Sequence, residues 1–594
     1  MERIIDLIVW TFLIGLFIRV LPERTKFLRE FLTLITTLVL FVISIIFFVK
    51  KPLPFEKNYW FIFDSLSIFT FLATTFFGFI VSIYSIPFMK GKEFLSRYYA
   101  YILWTISASI GAIFSNHLIL FTLFWGFLGF SLYMLINVGG EKASFPAKKT
   151  FIIVGGSDSF LILGVILIWI LSGSFLISEA KISIVSRAGY VAFLCLLIAS
   201  LAKAGAFPLH TWIPEISESA PTSVMAFLPA SLDKLLGIYL LSRICLNLFN
   251  FHEGMWFLLR FIGAFTIVAG VMMAIVQHNM KKLLSYHAVS QVGYMVLGIS
   301  TANPIGIIGG LFHMLNNAIY KCALFMGAGA VEEKTKTTEL ERLGGLSTKM
   351  PLTFTCFLIA SLAISGVPPF NGFFSKWFIY QGLFEGAKSG DPSWAIWIIS
   401  AMIGSALTLA SFLKIIHSVF LGHKKEYEGI GEVSFLMILP SIILALLCII
   451  FGFGFTLPIN LFFKNIVGVY PSLKISLISP GLTVLVISLI FGLIMFILLS
   501  TVKVKRARNF IGGEIQTEEM AMSGTEFYRT VYEIGFFKQL YKGAEKKIFD
   551  IYEILRNIVF YIGGILKFAH NGVLLNYLSW ILFGVLILLF LFKK

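Results

Sequence analysis

The sequence is poor in charge. Only 13% of its 594 residues are Asp, Glu, Lys or Arg, where a soluble domain carries about 25%. Hydrophobic residues make up 58%, and apolar stretches of about 20 residues, enough to cross a bilayer, recur from end to end. Together these exclude a soluble enzyme and identify an all-α polytopic membrane protein. Cysteine is scarce as well. The five, Cys195, Cys245, Cys322, Cys356 and Cys448, lie in apolar runs and form no C-x-x-C pair. They read as small buried residues, with no signature of an iron–sulfur or haem cofactor or of a metal site. Acidic residues number 31 against 47 basic ones, a formal net charge of +16. Nucleic acid is not implied, because the basic residues punctuate apolar spans and build no soluble domain. The opening MERIIDLIVWTFLIGLFIRV lacks a small-residue cleavage site. It reads as a first membrane helix and not as a signal peptide.

What is present is a long series of apolar segments. About sixteen membrane helices are expected, with boundaries good to a few residues. They fall near 4–21, 31–49, 60–88, 99–114, 117–137, 150–173, 188–207, 221–247, 256–277, 282–300, 304–329, 350–385 (interrupted), 393–421, 433–455, 478–502 and 573–592. Loops after odd-numbered helices are richer in Lys and Arg, as at Lys142/Lys148/Lys149, Lys281/Lys282, Lys334/Lys336/Lys349 and Lys503/Lys505/Arg506/Arg508. The positive-inside rule makes these loops cytoplasmic and puts both termini outside. Residues 503–572 break the pattern. A polar segment leads into TEFYRTVYEIGFFKQLYKGAEKKIFDIYEILRNIVFYIGGIL, which has helical periodicity but too much charge to span. An amphipathic lateral helix on the cytoplasmic side fits it best, and a solvated interdomain helix is the alternative.

The chemistry sits where charge interrupts the apolar runs. Lys203 lies within LAKAGAFPLHTWIP, followed by Pro208, His210 and Pro214. A lysine at the bilayer centre costs roughly 2.5–3.5 kcal/mol or more. Three further lysines lie in or beside apolar helices: Lys234, Lys321 and Lys376. His313 precedes Lys321 by two helical turns, and Asp158 lies near the start of an apolar span. A lysine near a helix end can instead snorkel to the interface. Lys203 and Lys321 resist that explanation most, since long apolar flanks lie on both sides. Two helices are interrupted alike, one at Lys203/Pro208 and one at Gly366/Pro368/Pro369/Gly372 before Lys376. Paired discontinuous helices point to a transporter built from repeats. Residues 99–247 and 256–421 would be two five-helix repeats, inverted because five is odd. Residues 1–98 precede them, and 433–502, 503–572 and 573–594 follow. Desolvation weakens a lysine's hold on its proton and a nearby carboxylate strengthens it. A row of such groups is a proton path.

At LAKAGAFPLHTWIPEISESAPTSVMAF, QHNMKKLLSYHAVSQVGYMVLGI, FHMLNNAIYKCALFMGAGAV, ELERLGGLSTKMP and ISGVPPFNGFFSKW, the chain resembles the antiporter-like subunits of respiratory complex I, Mrp cation/proton antiporters and membrane-bound energy-converting hydrogenases. The C-terminal part resembles that family's longest member, with its lateral helix and last anchoring span. The resemblance implies a proton path through Lys203, Lys321, Lys376, His313 and Asp158, with Lys234 near a bridging position. It implies structural or access-side roles for His210 and Glu215, and no cofactor. Three departures stand out. The family's Trp-Glu is here Trp125–Gly126, a second histidine is Asn317, and FLPAS carries Pro229. Asp158 or Asp233 is then the substitute partner for Lys203, or the first half is degenerate.

The leading expectation is a proton-translocating subunit of a complex-I-related respiratory assembly, hydrogenase-type or a relative. Redox chemistry would belong to a peripheral arm, and the partners would be other antiporter-like and small membrane subunits. The alternatives are a subunit of an Mrp-type Na+/H+ antiporter and an interaction subunit with a degenerate path.

Overall fold

The computed structural model describes residues 2–23, 25–50, 58–388, 390, 392–422, 427, 429–468, 528 and 535–592. The expected span 478–502 and the polar segment from 503 lie outside them. The chain opens with α1 (Glu2–Val20), α2 (Lys26–Lys50) and α3 (Ser65–Phe88). Asp64 caps α3, its carboxylate accepting from the Ser67 backbone N–H at 2.8 Å, which satisfies one of the orphan donors of the first turn.

Two series of helices follow in the same order. The first holds α4 (Leu95–Phe114), α5 (Leu118–Asn137) and α6 (Glu141–Ser172). Next come α7 (Arg187–Ala204), interrupted and resumed by α8 (Trp212–Ile216), then α9 (Thr222–Phe227) running through a π turn, Leu228–Leu232, into α10 (Asp233–Arg243). The second holds α11 (Glu253–Ile275), α12 (Met280–Ile299) and α13 (Pro304–Thr335). It continues with α14 (Pro351–Ser365), interrupted and resumed by α15 (Asn371–Lys388), and with α16 (Trp394–Ile415), which ends in a π turn, Ile416–Leu421. The third member is 32 residues long in both series. The fourth breaks in both at a cis proline bond, Phe207–Pro208 and Pro368–Pro369. α17 (Phe435–Phe453) completes the described part of this unit with short helical turns up to Val467. A two-residue parallel pair, Ile182 opposite Phe249, ties the loop before α7 to the end of the helix after α10.

Ten described helices are long and apolar enough to cross a membrane, and the protein is an all-α polytopic membrane protein. The bounds of the described membrane helices follow the sequence expectation to within about five residues, with two larger extensions. α6 starts at Glu141 and α13 runs to Thr335, because their polar end turns continue the helix beyond the apolar window. Close approach is achieved with small residues. A Cβ on Gly237 would lie 2.5 Å from the Ala204 nitrogen, so α10 can cross α7 at the break only with glycine there.

The C-terminal unit, from residue 534 onward, is a separate compact unit. The lateral segment is not one helix. It forms Gly535–Glu545 and Ile551–Ala569, followed by an apolar helix Leu574–Leu591. The first two part at Lys547, whose φ is 57°. Asp550 caps the second by accepting from the Tyr552 N–H at 3.0 Å.

Candidate ion-translocation site

Lys203 occupies the last turn of α7. The helix ends because Gly205 takes a left-handed conformation, φ 75°, which suits a residue with no Cβ. The break leaves the Ala204 carbonyl without a helical partner, and the Lys234 ammonium donates to it. The second broken helix is built alike. α14 ends at left-handed Gly366, and the Lys376 ammonium donates to the carbonyl of Ile364 at 2.9 Å. In each half a buried lysine covers a carbonyl at the break.

The sequence-selected lysines are all inside the protein. Lys203, Lys234 and Lys321 are 0% exposed and Lys376 is 2% exposed, so none snorkels. Lys203 Nζ lies 5.1 Å from the centre of the Trp125 ring and has no hydrogen-bond partner among the described residues. Two carboxylates act on it electrostatically, Asp233 from α10 and Asp158 from α6. Asp158 leans over α5 at its glycines. A Cβ on Gly126 would lie 4.0 Å from Asp158 Oδ2, and one on Gly129 3.3 Å. The acidic group nearest Gly126 thus comes from the neighbouring helix.

The second half is better bonded. Lys321 Nζ donates to the Leu284 carbonyl at 2.7 Å, with Lys234 the charge acting on it from the first half. Asn317, at the position of the second family histidine, donates to the Ala230 carbonyl at 3.4 Å, a link between α13 and the π turn. His313 bridges three helices. Its Nδ1 is 2.9 Å from Ser375 Oγ on α15, and its Nε2 is 3.1 Å from Gln291 Oε1 on α12. Lys376 Nζ lies 4.7 Å from the Tyr294 ring centre. The Tyr294 hydroxyl meets Ser405 Oγ at 2.9 Å, and Tyr380 meets the same oxygen at 2.8 Å. A cavity of about 680 Å³, walled by Glu253, Arg260, Asn303, Glu385 and Trp397, shares Trp397 and Leu383 with the apolar cluster around Tyr294.

Two further selected residues make contacts of their own. Glu215 pairs with Lys149 at 2.8 Å, joining α8 to α6. His210 packs its ring 5.6 Å from that of Phe207 beside the break. Sequence reasoning missed others. His287 is fully buried, 4.9 Å from the Phe412 ring, and feels both Lys321 and Lys376. Lys414 donates to the carbonyls of Ile275 and Gln277 at 3.0 and 2.8 Å, closing the end of α11. Each is a polar residue in an apolar run, the same signal that found Lys203. Among the described residues no cluster of three or more His, Cys, Asp or Glu is set to hold a metal ion.

At the head of α3, Asp64, which precedes the span Ser65–Phe88, forms an ion pair with Arg243 from the span Thr222–Leu248. Arg243 Nη2 also donates to Asp64 Oδ1 at 2.8 Å and to Ser67 Oγ at 2.7 Å. Burial pushes the Asp64 carboxyl up, but Arg243 and the Ser67 contacts more than offset it, so the group is held below the ordinary 3.8.

Residues 115–408 match the family described as NADH:quinone oxidoreductase/Mrp antiporter, transmembrane. The subunit A1 of a Na+/H+ antiporter from Staphylococcus haemolyticus is 32% identical over 415 residues, 66% of this chain and 51% of the relative. The chain spans about half the length of the curated relatives it matches. Two solved assemblies share the fold. A chain of the membrane-bound sulfane sulfur reductase, an archaeal respiratory membrane complex, superposes with a TM-score of 0.79 at 21% identity, covering 99% of this chain and 100% of that one. A chain of the Mrp complex from a Dietzia species gives 0.70 at 20% identity, covering 80% and 98%. Through these matches residues 115–408 are identified as a transmembrane domain of the NADH:quinone oxidoreductase/Mrp antiporter family.

Proposed function

We propose that this chain is the antiporter-like, proton-translocating subunit of an Mrp-type multi-subunit cation/proton antiporter. Protons move along Lys203, Lys234, Lys321, His313 and Lys376, with Asp158 as an acidic partner, while sodium is exchanged in the opposite direction. The observation that carries this reading is the 32% identity over 415 residues to a Na+/H+ antiporter subunit A1. The buried lysines support the path, because an ionisable group inside a membrane span is costly to keep and by default marks an ion route. His210 and Glu215 frame the access side of the first break. Both termini lie outside, the lateral segment lies on the cytoplasmic side, and the neighbours are other antiporter-like and small membrane subunits.

A second reading is a subunit of a complex-I-related respiratory assembly with a peripheral redox arm. It is supported by the end-to-end likeness to the sulfane sulfur reductase chain, 99% of this chain and 100% of that one. At 21% identity that likeness speaks to the fold alone. The sequence relatives therefore reverse the order of the two readings drawn from motifs. One experiment separates them. Everted vesicles carrying the intact complex are given a sodium gradient and no electron donor. Proton movement supports the antiporter. Proton movement only after a reductant is added supports the respiratory assembly.

A further inference from the structure

His287 is fully buried on α12, and neither of its ring nitrogens has a hydrogen-bond partner among the described residues. Buried polar atoms are almost always paired, so a buried imidazole with both nitrogens free is unusual. It stands in a row. Leu284, His287, Gln291 and Tyr294 follow one another at helical spacings of three, four and three, which puts them on one stripe of α12. At one end the Lys321 ammonium donates to the Leu284 carbonyl at 2.7 Å. His287 comes next, its ring 4.9 Å from that of Phe412, and Lys321 Nζ lies 5.8 Å from the centre of the same Phe412 ring. One turn further, Gln291 presents Oε1 to His313 Nε2 at 3.1 Å, while its own Nε2 has no partner. At the far end the Tyr294 ring packs 5.3 Å from that of His313 and 4.7 Å from Lys376 Nζ. His287 thus fills the step between Lys321 and the Gln291–His313 pair.

We propose that His287 is a proton relay between His313 and Lys321. This deepens the function proposed above and rests on its reading of Lys321 and Lys376 as proton carriers. A neutral imidazole holds one N–H and one lone pair, so it can take a proton on one nitrogen as it gives up the proton of the other. With Gln291 presenting Oε1, His313 Nε2 is the donor of that pair. In the loading direction the His313 Nε2 proton crosses to the lone pair of His287 on a water, and His313 is refilled at Nδ1 from the side of Ser375 and Lys376. His287 passes the proton of its other nitrogen to the amine of Lys321, which becomes an ammonium. Both rings end neutral, and the reverse order unloads the lysine. Four residues of helix, about 6 Å, separate His287 from Gln291, and the unpaired Gln291 Nε2 is one ligand for the bridging water. The relay ring must turn over between transfers to restore its starting tautomer. His313, bonded at both nitrogens, is held in place, whereas no protein bond fixes His287.

The test uses the full-length chain in its intact complex, in vesicles, with proton uptake, the amount of assembled complex and its melting temperature measured together. His287→Phe keeps a ring against Phe412 and removes both nitrogens. Because those nitrogens have no protein partner, their loss should leave the melting temperature unchanged, while uptake per assembled complex falls about 100-fold, the lower range of what a positioned proton-transfer group contributes. Should His287→Phe not assemble, His287→Gln gives the same reading, since an amide keeps a polar side chain there but does not carry a proton at neutral pH. Lys321→Ala is the reference for a broken path. The proposal is overturned if an assembled His287 variant transports at the unsubstituted rate while Lys321→Ala has lost uptake. It is also overturned if the loss of uptake in both His287 variants only follows a loss of melting temperature, which is the mark of a packing residue. Lys321→Ala transporting normally would instead overturn the proton-carrier reading itself.

Discussion

The Lys376 ammonium sits 2.9 Å from the carbonyl of Ile364, across the break that separates α14 from α15. It holds the broken end of α14 and carries a charge into the protein interior in the same contact. Lys376→Met keeps the stem and removes both. Uptake of protons by vesicles should fall about 100-fold. Thermal unfolding of the purified complex should show a smaller loss, about 1–3 kcal/mol for a buried carbonyl left unpaired.

His313 reaches Ser375 and Gln291 with its two ring nitrogens. His313→Ala strands both partners inside the membrane part of the protein. Transport should drop steeply and stability by about 1–3 kcal/mol. Ser375→Ala keeps the Gln291 contact and should transport at a rate much nearer the original. Equal losses in the two variants would remove His313 from the path.

Gly237 lets α10 reach the end of α7, with an added Cβ only 2.5 Å from the Ala204 nitrogen. Gly237→Ala should therefore push the helices apart at a cost of about 1–3 kcal/mol and pull Lys234 off the Ala204 carbonyl. The check is a lowered melting temperature of the complex together with reduced transport.

Asp64 and Arg243 set an acid limit on stability. The Asp64 carboxyl is held below its ordinary 3.8 in the folded protein. The stabilisation is thus fully present above that ordinary value and is lost as pH falls through the lowered one. Asp64→Ala leaves Arg243, 1% exposed, uncompensated, and should cost about 3–5 kcal/mol at neutral pH. Melting curves between neutral and strongly acidic pH should lose part of their acid dependence in that variant.

Much of this site was legible because a membrane makes charge conspicuous. Lys203, Lys321 and Lys376 announce themselves as cations inside apolar runs, and the prolines beside them mark both breaks. Lys234 was harder to register, and the π turn Leu228–Leu232 gives the reason. It inserts an extra residue per turn just before Asp233, so a helical wheel drawn through Pro229 puts Lys234 off its true face. Asp233 was weighed only as a possible partner for the same cause. The cluster of hydroxyls from Tyr294, Ser405 and Tyr380 was invisible, because it is assembled from three different helices, α12, α16 and α15. The lateral segment looked continuous because its polar and apolar residues run on through 546–550, where the backbone leaves the helix around the left-handed Lys547.

The central claim is that buried lysines carry the proton, and Lys321 tests it most directly. Its ammonium is fully buried and bonded to the Leu284 carbonyl at 2.7 Å, at the point where the two halves meet. Proton uptake should be measured in vesicles holding equal amounts of assembled complex with Lys321 or with Lys321→Ala. The account predicts that the variant assembles and that its uptake is lost, by about 100-fold or more. Uptake at the unsubstituted rate would contradict it and leave the lysines as structural cations.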